Sequence, residues 1–114
     1  MEIVTQIQRP AGASLGSGLL IPHLGGVVVN RHAIVGDNCT IYRGVNIGDS
    51  GRGDERGVPI IGNNVIIYSI ASVVGMIQVG DGAVIAANSL VTRDVAPRAL
   101  ARGVPATISE QHRD

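Results

Sequence analysis

The chain has 114 residues, one domain's worth, with nine basic and nine acidic side chains and no net charge. That balance leaves no electrostatic footprint for nucleic acid and no polybasic patch for a membrane surface. With two Tyr, no Phe or Trp and 16 Gly, the core must be filled by closely spaced Val and Ile.

Residues 1–14 carry no regular rhythm, and Ile3-Val4-Thr5-Gln6-Ile7 reads as one strand before Arg9-Pro10 turns the chain, covering the first coil. The N-terminus lacks a basic region followed by an apolar one, and no apolar run approaches the ~20 residues of a membrane span. A lone Cys39 excludes an internal disulfide and suits a reducing compartment, so a cytoplasmic protein is expected.

From Leu15 a period of six takes over. Neither a helix, near 3.6, nor a single strand, at 2, gives that period, whereas a short strand plus a corner, repeated, does. Aliphatic residues open the hexads in three rotating sets: Leu15, Val35, Ile61 and Val79 on face one, Ile21, Ile41, Ile67 and Ile85 on face two, and Val29, Ile47, Val73 and Val91 on face three. Every face-one hexad continues Gly, then Ser17, Asp37, Asn63 or Asp81, then Gly18, Asn38, Asn64 or Gly82, which are residues that accept tight or left-handed corners. The fold expected is all-β: a single-stranded parallel β-helix of about four coils over 15–96, each coil of 18 residues. The phase slips by two residues at Val27-Val28, and the run Gly48 to Pro59, rich in glycine and charge, is an extruded loop between faces three and one. After Pro97 the rhythm breaks, and 97–114 reads as a segment folding over the lower end, with a polar tail.

Four coils at ~4.8 Å per strand make a short prism. Leu19, Leu24, Val28, Ile66 and Ile70 read as apolar outward positions, so association into a side-by-side homotrimer is expected.

Of three histidines, His32 reads as a solvated corner and His112 lies in the tail. His23 sits between Pro22 and the pair Gly25-Gly26, where missing side chains allow close approach of a ligand. Its column runs down through Arg43, Ser69 and Ala87, a shallow groove leading away from a base. Two histidines nine residues apart make a poor metal site, and none is expected.

Ile21-Pro22-His23-Leu24-Gly25-Gly26-Val27-Val28-Val29, the hexads, the loop after Ile47-Gly48 and Gly103-Val104-Pro105-Ala106 resemble the left-handed β-helix acyltransferases. The nearest resemblance is to serine O-acetyltransferases and related acetyltransferases of polysaccharide biosynthesis. The resemblance implies left-handed coils and transfer of acetyl from acetyl-CoA to the hydroxyl of a sugar or serine-like small molecule. It implies His23 as general base, pantetheine beside Ser69 and Ala87 between neighbouring subunits, and Gly103 and Pro105 towards the coenzyme's far end. Gly25 and the loop residues Arg56 and Val58 fall on the acceptor side. Departures are Pro22 where serine acetyltransferases place an Asp, Val58 for a second histidine, Gln8 for the acid that orients the base, Thr107 for an Arg, and Tyr68 for a groove glycine. Those losses motivate a second reading, a non-catalytic trimeric β-helix, which expects Tyr68 to block the groove.

Overall fold

The computed structural model describes residues 2–4, 14–22, 26–49 and 57–111. Its strands begin with β1 (Glu2–Val4), β2 (Ser14–Leu15), β3 (Val27–Val29), β4 (Ile34–Val35) and β5 (Thr40–Ile41). The chain continues through β6 (Asn46–Gly48), β7 (Ile60–Ile61), β8 (Ile66–Ile67), β9 (Ser72–Val74) and β10 (Gln78–Val79). Last come β11 (Val84–Ile85), β12 (Leu90–Val91), β13 (Ala99–Gly103) and β14 (Ala106–Glu110).

These strands form three sheets, and the sheets are the three faces read from the sequence. Face one is β2, β4, β7 and β10; face two is β5, β8, β11, β13 and β14; face three is β1, β3, β6, β9 and β12. Pairing between coils is parallel: Leu15 lies beside Val35, Val35 beside Ile61, Ile41 beside Ile67, and Ile47 beside Val73. The coils are left-handed, against the usual right-handed crossover of parallel strands. Each hexad's first residue points inward and meets its equivalents above and below, so Ile41, Ile47, Ile61, Ile67 and Ile85 are fully buried. Fifth positions turn in as well, among them Cys39, Val65, Ala71 and Ala83. Leu19 is one of these, packed against the core rather than outward as expected, because it holds the same rung as Cys39 and Val65.

The corner after face one shows why that hexad reads aliphatic-Gly-Asp/Asn. The Asp37 carboxylate accepts from the Ser17 N–H at 2.9 Å, the Asn63 carbonyl from the Asp37 N–H at 2.8 Å, and Asp81 from the Asn63 N–H at 2.8 Å. Each acceptor oxygen lies where a Cβ on the preceding coil's glycine (Gly16, Gly36 or Gly62) would stand, so glycine is required. Left-handed φ values follow at Gly18, Asn38, Asn64 and Gly82.

Three details of phase differ from the sequence reading. The two-residue slip falls earlier than Val27-Val28. Leu20 bridges Thr40, twenty residues on, while Val28 pairs with Asn46, eighteen on, so the two extra residues sit between Leu20 and Val28. At the other end, Val95 bridges Val79 and opens another face-one rung, because the corner after Val91 is shorter than the one after Val73. Arg98 takes the left-handed corner there, and Ala101 pairs with Ile85. β13 then turns back antiparallel into β14, closing the lower edge of face two. β1 closes the upper edge of face three by antiparallel pairing with β3. The loop leaves after β6 and returns before β7, at the corner between faces three and one.

Candidate functional site

The corner between faces two and three carries the groove. Register places Tyr42 beside Tyr68 and Arg43 beside Ser69, with Ala86 and Ala87 on the coil below. Backbone bonds hold the corner rungs together: Ile70 N–H donates to Arg43 O at 3.1 Å and Asn88 N–H to Ser69 O at 2.9 Å. An open depression of about 470 Å³ results, lined by Tyr42, Arg43, Tyr68, Ser69 and Ala87.

Tyr68 does not fill this space. Its ring stacks on that of Tyr42, with centroids 4.9 Å apart and planes 23° from parallel, and the pair becomes one wall. The depression that remains is at odds with the blocked groove of the non-catalytic reading. Arg43 is the charged residue among the lining side chains and is exposed. Below, the Gly103 N–H donates to the Oγ of buried Ser89 at 3.1 Å, which fixes the hairpin that carries exposed Pro105.

His23, Gly25 and Arg56 lie outside the described residues, as do Gln8 and His112. Their described neighbours define where the histidine segment starts and ends: Leu20 O accepts from Ile41 N–H at 3.0 Å, and Gly26 O accepts from Gly44 N–H at 2.9 Å. The structure thus brings Ser69 and Ala87 into one lining and leaves Gly103 and Pro105 in the hairpin below. Val58 is half-buried against the core at a different corner, between buried Gly57 and Pro59. His32 is exposed, its backbone N–H donating to Asn30 Oδ1 at 2.9 Å. Among the described residues no group of three His, Cys, Asp or Glu is arranged to hold a metal ion. Arg43, which the sequence placed in the His23 column, is part of the lining, whereas Tyr42 was missed. The signal was available, since the coil length that stacks Ser69 on Ala87 also stacks Tyr42 on Tyr68.

Hexad coils in three parallel sheets, with a groove down one corner, define a hexapeptide-repeat left-handed β-helix. Comparison with known proteins narrows this. A serine acetyltransferase of Synechococcus elongatus is 40% identical over 107 residues, covering 94% of this chain and 44% of its own length. One from Mycobacterium tuberculosis is 39% identical over 110 residues, with 96% and 48% covered. Among solved structures, a Brucella abortus serine acetyltransferase in complex with coenzyme A superposes with a TM-score of 0.83 at 40% identity, over 89% of this chain and 41% of that one. The soybean apoenzyme gives 0.81 at 39% identity, over 85% and 40%. No protein-family model matches. The chain belongs with the serine O-acetyltransferase-like hexapeptide-repeat acyltransferases, and spans about half the length of the curated relatives it matches.

Proposed function

We propose that the chain acts as the transferase unit of a coenzyme A-dependent O-acetyltransferase, moving acetyl from acetyl-CoA to a hydroxyl of a sugar or serine-like small molecule. The observation that carries this reading is the groove, lined by small residues at Ser69 and Ala87 and open despite Tyr68. A pantetheine arm is long and narrow and suits such a channel, with its distal end towards Gly103 and Pro105. The coenzyme A complex of a 40%-identical relative supports the same co-substrate.

In this reading His23 is the general base, since an imidazole with a reference pKa of ~6.5 suits proton transfer near neutrality. It removes the acceptor's hydroxyl proton as the oxygen adds to the thioester carbonyl. The C–S bond then breaks, and the sulfur leaves with that proton as free coenzyme A. Gly25 leaves room beside the base, and Arg56 and Val58 belong to the loop on the acceptor side. The unit works as a homotrimer, with the groove completed by a neighbour. The buried, unpaired Cys39 accords with a reducing, cytoplasmic setting.

The test is acceptor-dependent release of coenzyme A alongside calorimetric titration of acetyl-CoA. His23→Ala is expected to lower kcat/KM by about 10²–10⁴-fold while leaving acetyl-CoA affinity within a few-fold. No coenzyme binding, or release that ignores His23, sinks the reading.

A further inference from the structure

The groove has two unlike halves. In its lower half the two columns facing the depression read Ala86 and Ala87, with nothing beyond a Cβ. In its upper half the same columns read Tyr42 and Arg43, then Tyr68 and Ser69. The chain's whole complement of aromatic residues therefore stands at one place, stacked and beside a guanidinium. A pantetheine arm carries neither ring nor charge, and in the reading above the coenzyme's adenine and phosphates lie at the other end, towards Gly103 and Pro105, so the upper half selects for something else.

Tyr42 covers one face of Tyr68, a residue that is 38% exposed. The 4.9 Å between the rings matches the ~4.8 Å rise from coil to coil, so the aromatic ladder is in step with the strands. The next rung is Ala86, which leaves room for a third ring under Tyr68. A flat or chair-shaped ring from a ligand can stack there, with its edge towards Ser69 and Ala87. Arg43, on the adjoining column, offers up to five N–H donors to a carboxylate or phosphate. Among the described residues no carboxylate lines this depression to offset it.

We propose that Tyr42, Arg43 and Tyr68 form a specificity wall for the acceptor, and that the acceptor is a hydroxyl-bearing ring with an anionic substituent, an acidic sugar. This rests on the transferase reading above and deepens it: of the two acceptor classes left open there, it selects the sugar and gives it a charge. Free serine has no ring to lay on Tyr68. A neutral sugar would stack but leave Arg43 unused.

Because Tyr42 and Tyr68 are the only aromatic residues, the protein's ultraviolet emission reports directly on the wall. The full chain is titrated with D-glucuronic acid, D-glucose 6-phosphate, D-glucose and L-serine, following tyrosine emission. A saturable change is expected with at least one acidic sugar, and the two acidic probes separate carboxylate from phosphate. Affinity for D-glucose is expected to be about tenfold weaker, as is that of Arg43→Gln for the acidic sugar. Tyr68→Ala, which reproduces what the fold already accepts at Ala86, abolishes the response, while Tyr68→Phe retains acidic-sugar affinity by calorimetry. L-Serine or D-glucose matching the acidic sugars, or affinity indifferent to Arg43 and Tyr68, overturns the proposal, as does no saturable response to any probe. Coenzyme A release is measured separately. Acidic-sugar binding without turnover defeats the transferase reading yet upholds the wall, whereas turnover of L-serine alone upholds transfer and defeats the wall.

Discussion

Cys39 shows how a single rung fixes the chemistry of a side chain. It occupies a fifth position, points into the stack and has no solvent exposure, and its Sγ donates to Gly62 O at 3.1 Å. Burial pushes the thiol above its ordinary value of 9.0, the backbone N–H groups of Val65 and Asn64 oppose the rise, and the Asp37 and Asp81 charges add to it. The folded state therefore keeps this proton to higher pH than the unfolded chain does. The associated stability is full below 9.0 and is lost as pH rises beyond it. Two results are expected. A thiol reagent at neutral pH modifies the native protein only as fast as it unfolds, since a buried neutral thiol is a poor nucleophile. The urea midpoint falls between about pH 8 and about pH 10, and a Cys39→Ala protein loses that part of the slope. Rapid modification of the folded protein would contradict both the burial and the protonation state.

At the scale of an element, the corner after face one is a column of side-chain acceptors, each serving the backbone one coil above. Asn63 is its middle rung, taking the Asp37 N–H. Asn63→Ala is expected to cost about 0.5–1.5 kcal/mol by leaving that donor without its partner. Ser17→Ala at the top rung removes only an exposed hydroxyl 3.4 Å from Asp37 and is expected to stay within about 0.5 kcal/mol of wild type. Equal urea midpoints for the two variants would show that the column contributes nothing. This column, the three sheets and their registers were legible in the sequence, because a coil closes only if inward aliphatics recur in step and the corner tolerates left-handed φ. Phase at the ends was less legible. Val27-Val28-Val29 offers an inward β-branched residue in either register, so the extra residues before it leave no mark. Val95 could be a fifth or a first position, since both face inward and both accept a small aliphatic. At the site, the stacking of Ser69 on Ala87 followed from coil length. The path of the Tyr68 ring did not, because a side chain's rotamer has no periodicity to betray it. The sequence therefore showed a bulky residue in the groove, and the structure shows that residue leaning back on Tyr42 as a wall.

For the whole molecule, the decisive fact is that the groove and the extruded loop leave the prism at different corners. The groove follows face two, between β8 and β9, and the loop follows face three, between β6 and β7. The loop base is held in place: Pro59 O accepts from Ile34 N–H at 3.2 Å, Gly48 O from Gly75 N–H at 3.0 Å, and a Cβ at Gly57 would collide with Met76. In the trimer proposed above, a loop with its ends fixed at this corner would reach a groove most directly on the next subunit. Exposed Leu20, Ile34, Ile60 and Ile70 leave apolar side chains for such neighbours to cover. If the acceptor site joins the His23 corner of one subunit to the Arg56 loop of another, the two functions can be separated and recombined. His23→Ala and Arg56→Ala chains, each of low activity alone, are co-expressed with different tags, and mixed oligomers are isolated by tandem affinity. A closed trimeric ring in which every interface pairs unlike surfaces then contains, in either mixed composition, one interface of three with both residues intact, so the isolated mixed oligomers recover roughly a third of wild-type activity. A site contained within one subunit restores none, because every chain in the mixture carries a lesion. Recovery on mixing, with a particle mass three times that of the 11.7 kDa chain, is the expected outcome. Full activity of Arg56→Ala by itself, or mixed particles no more active than their parents, would place the loop outside the catalytic unit.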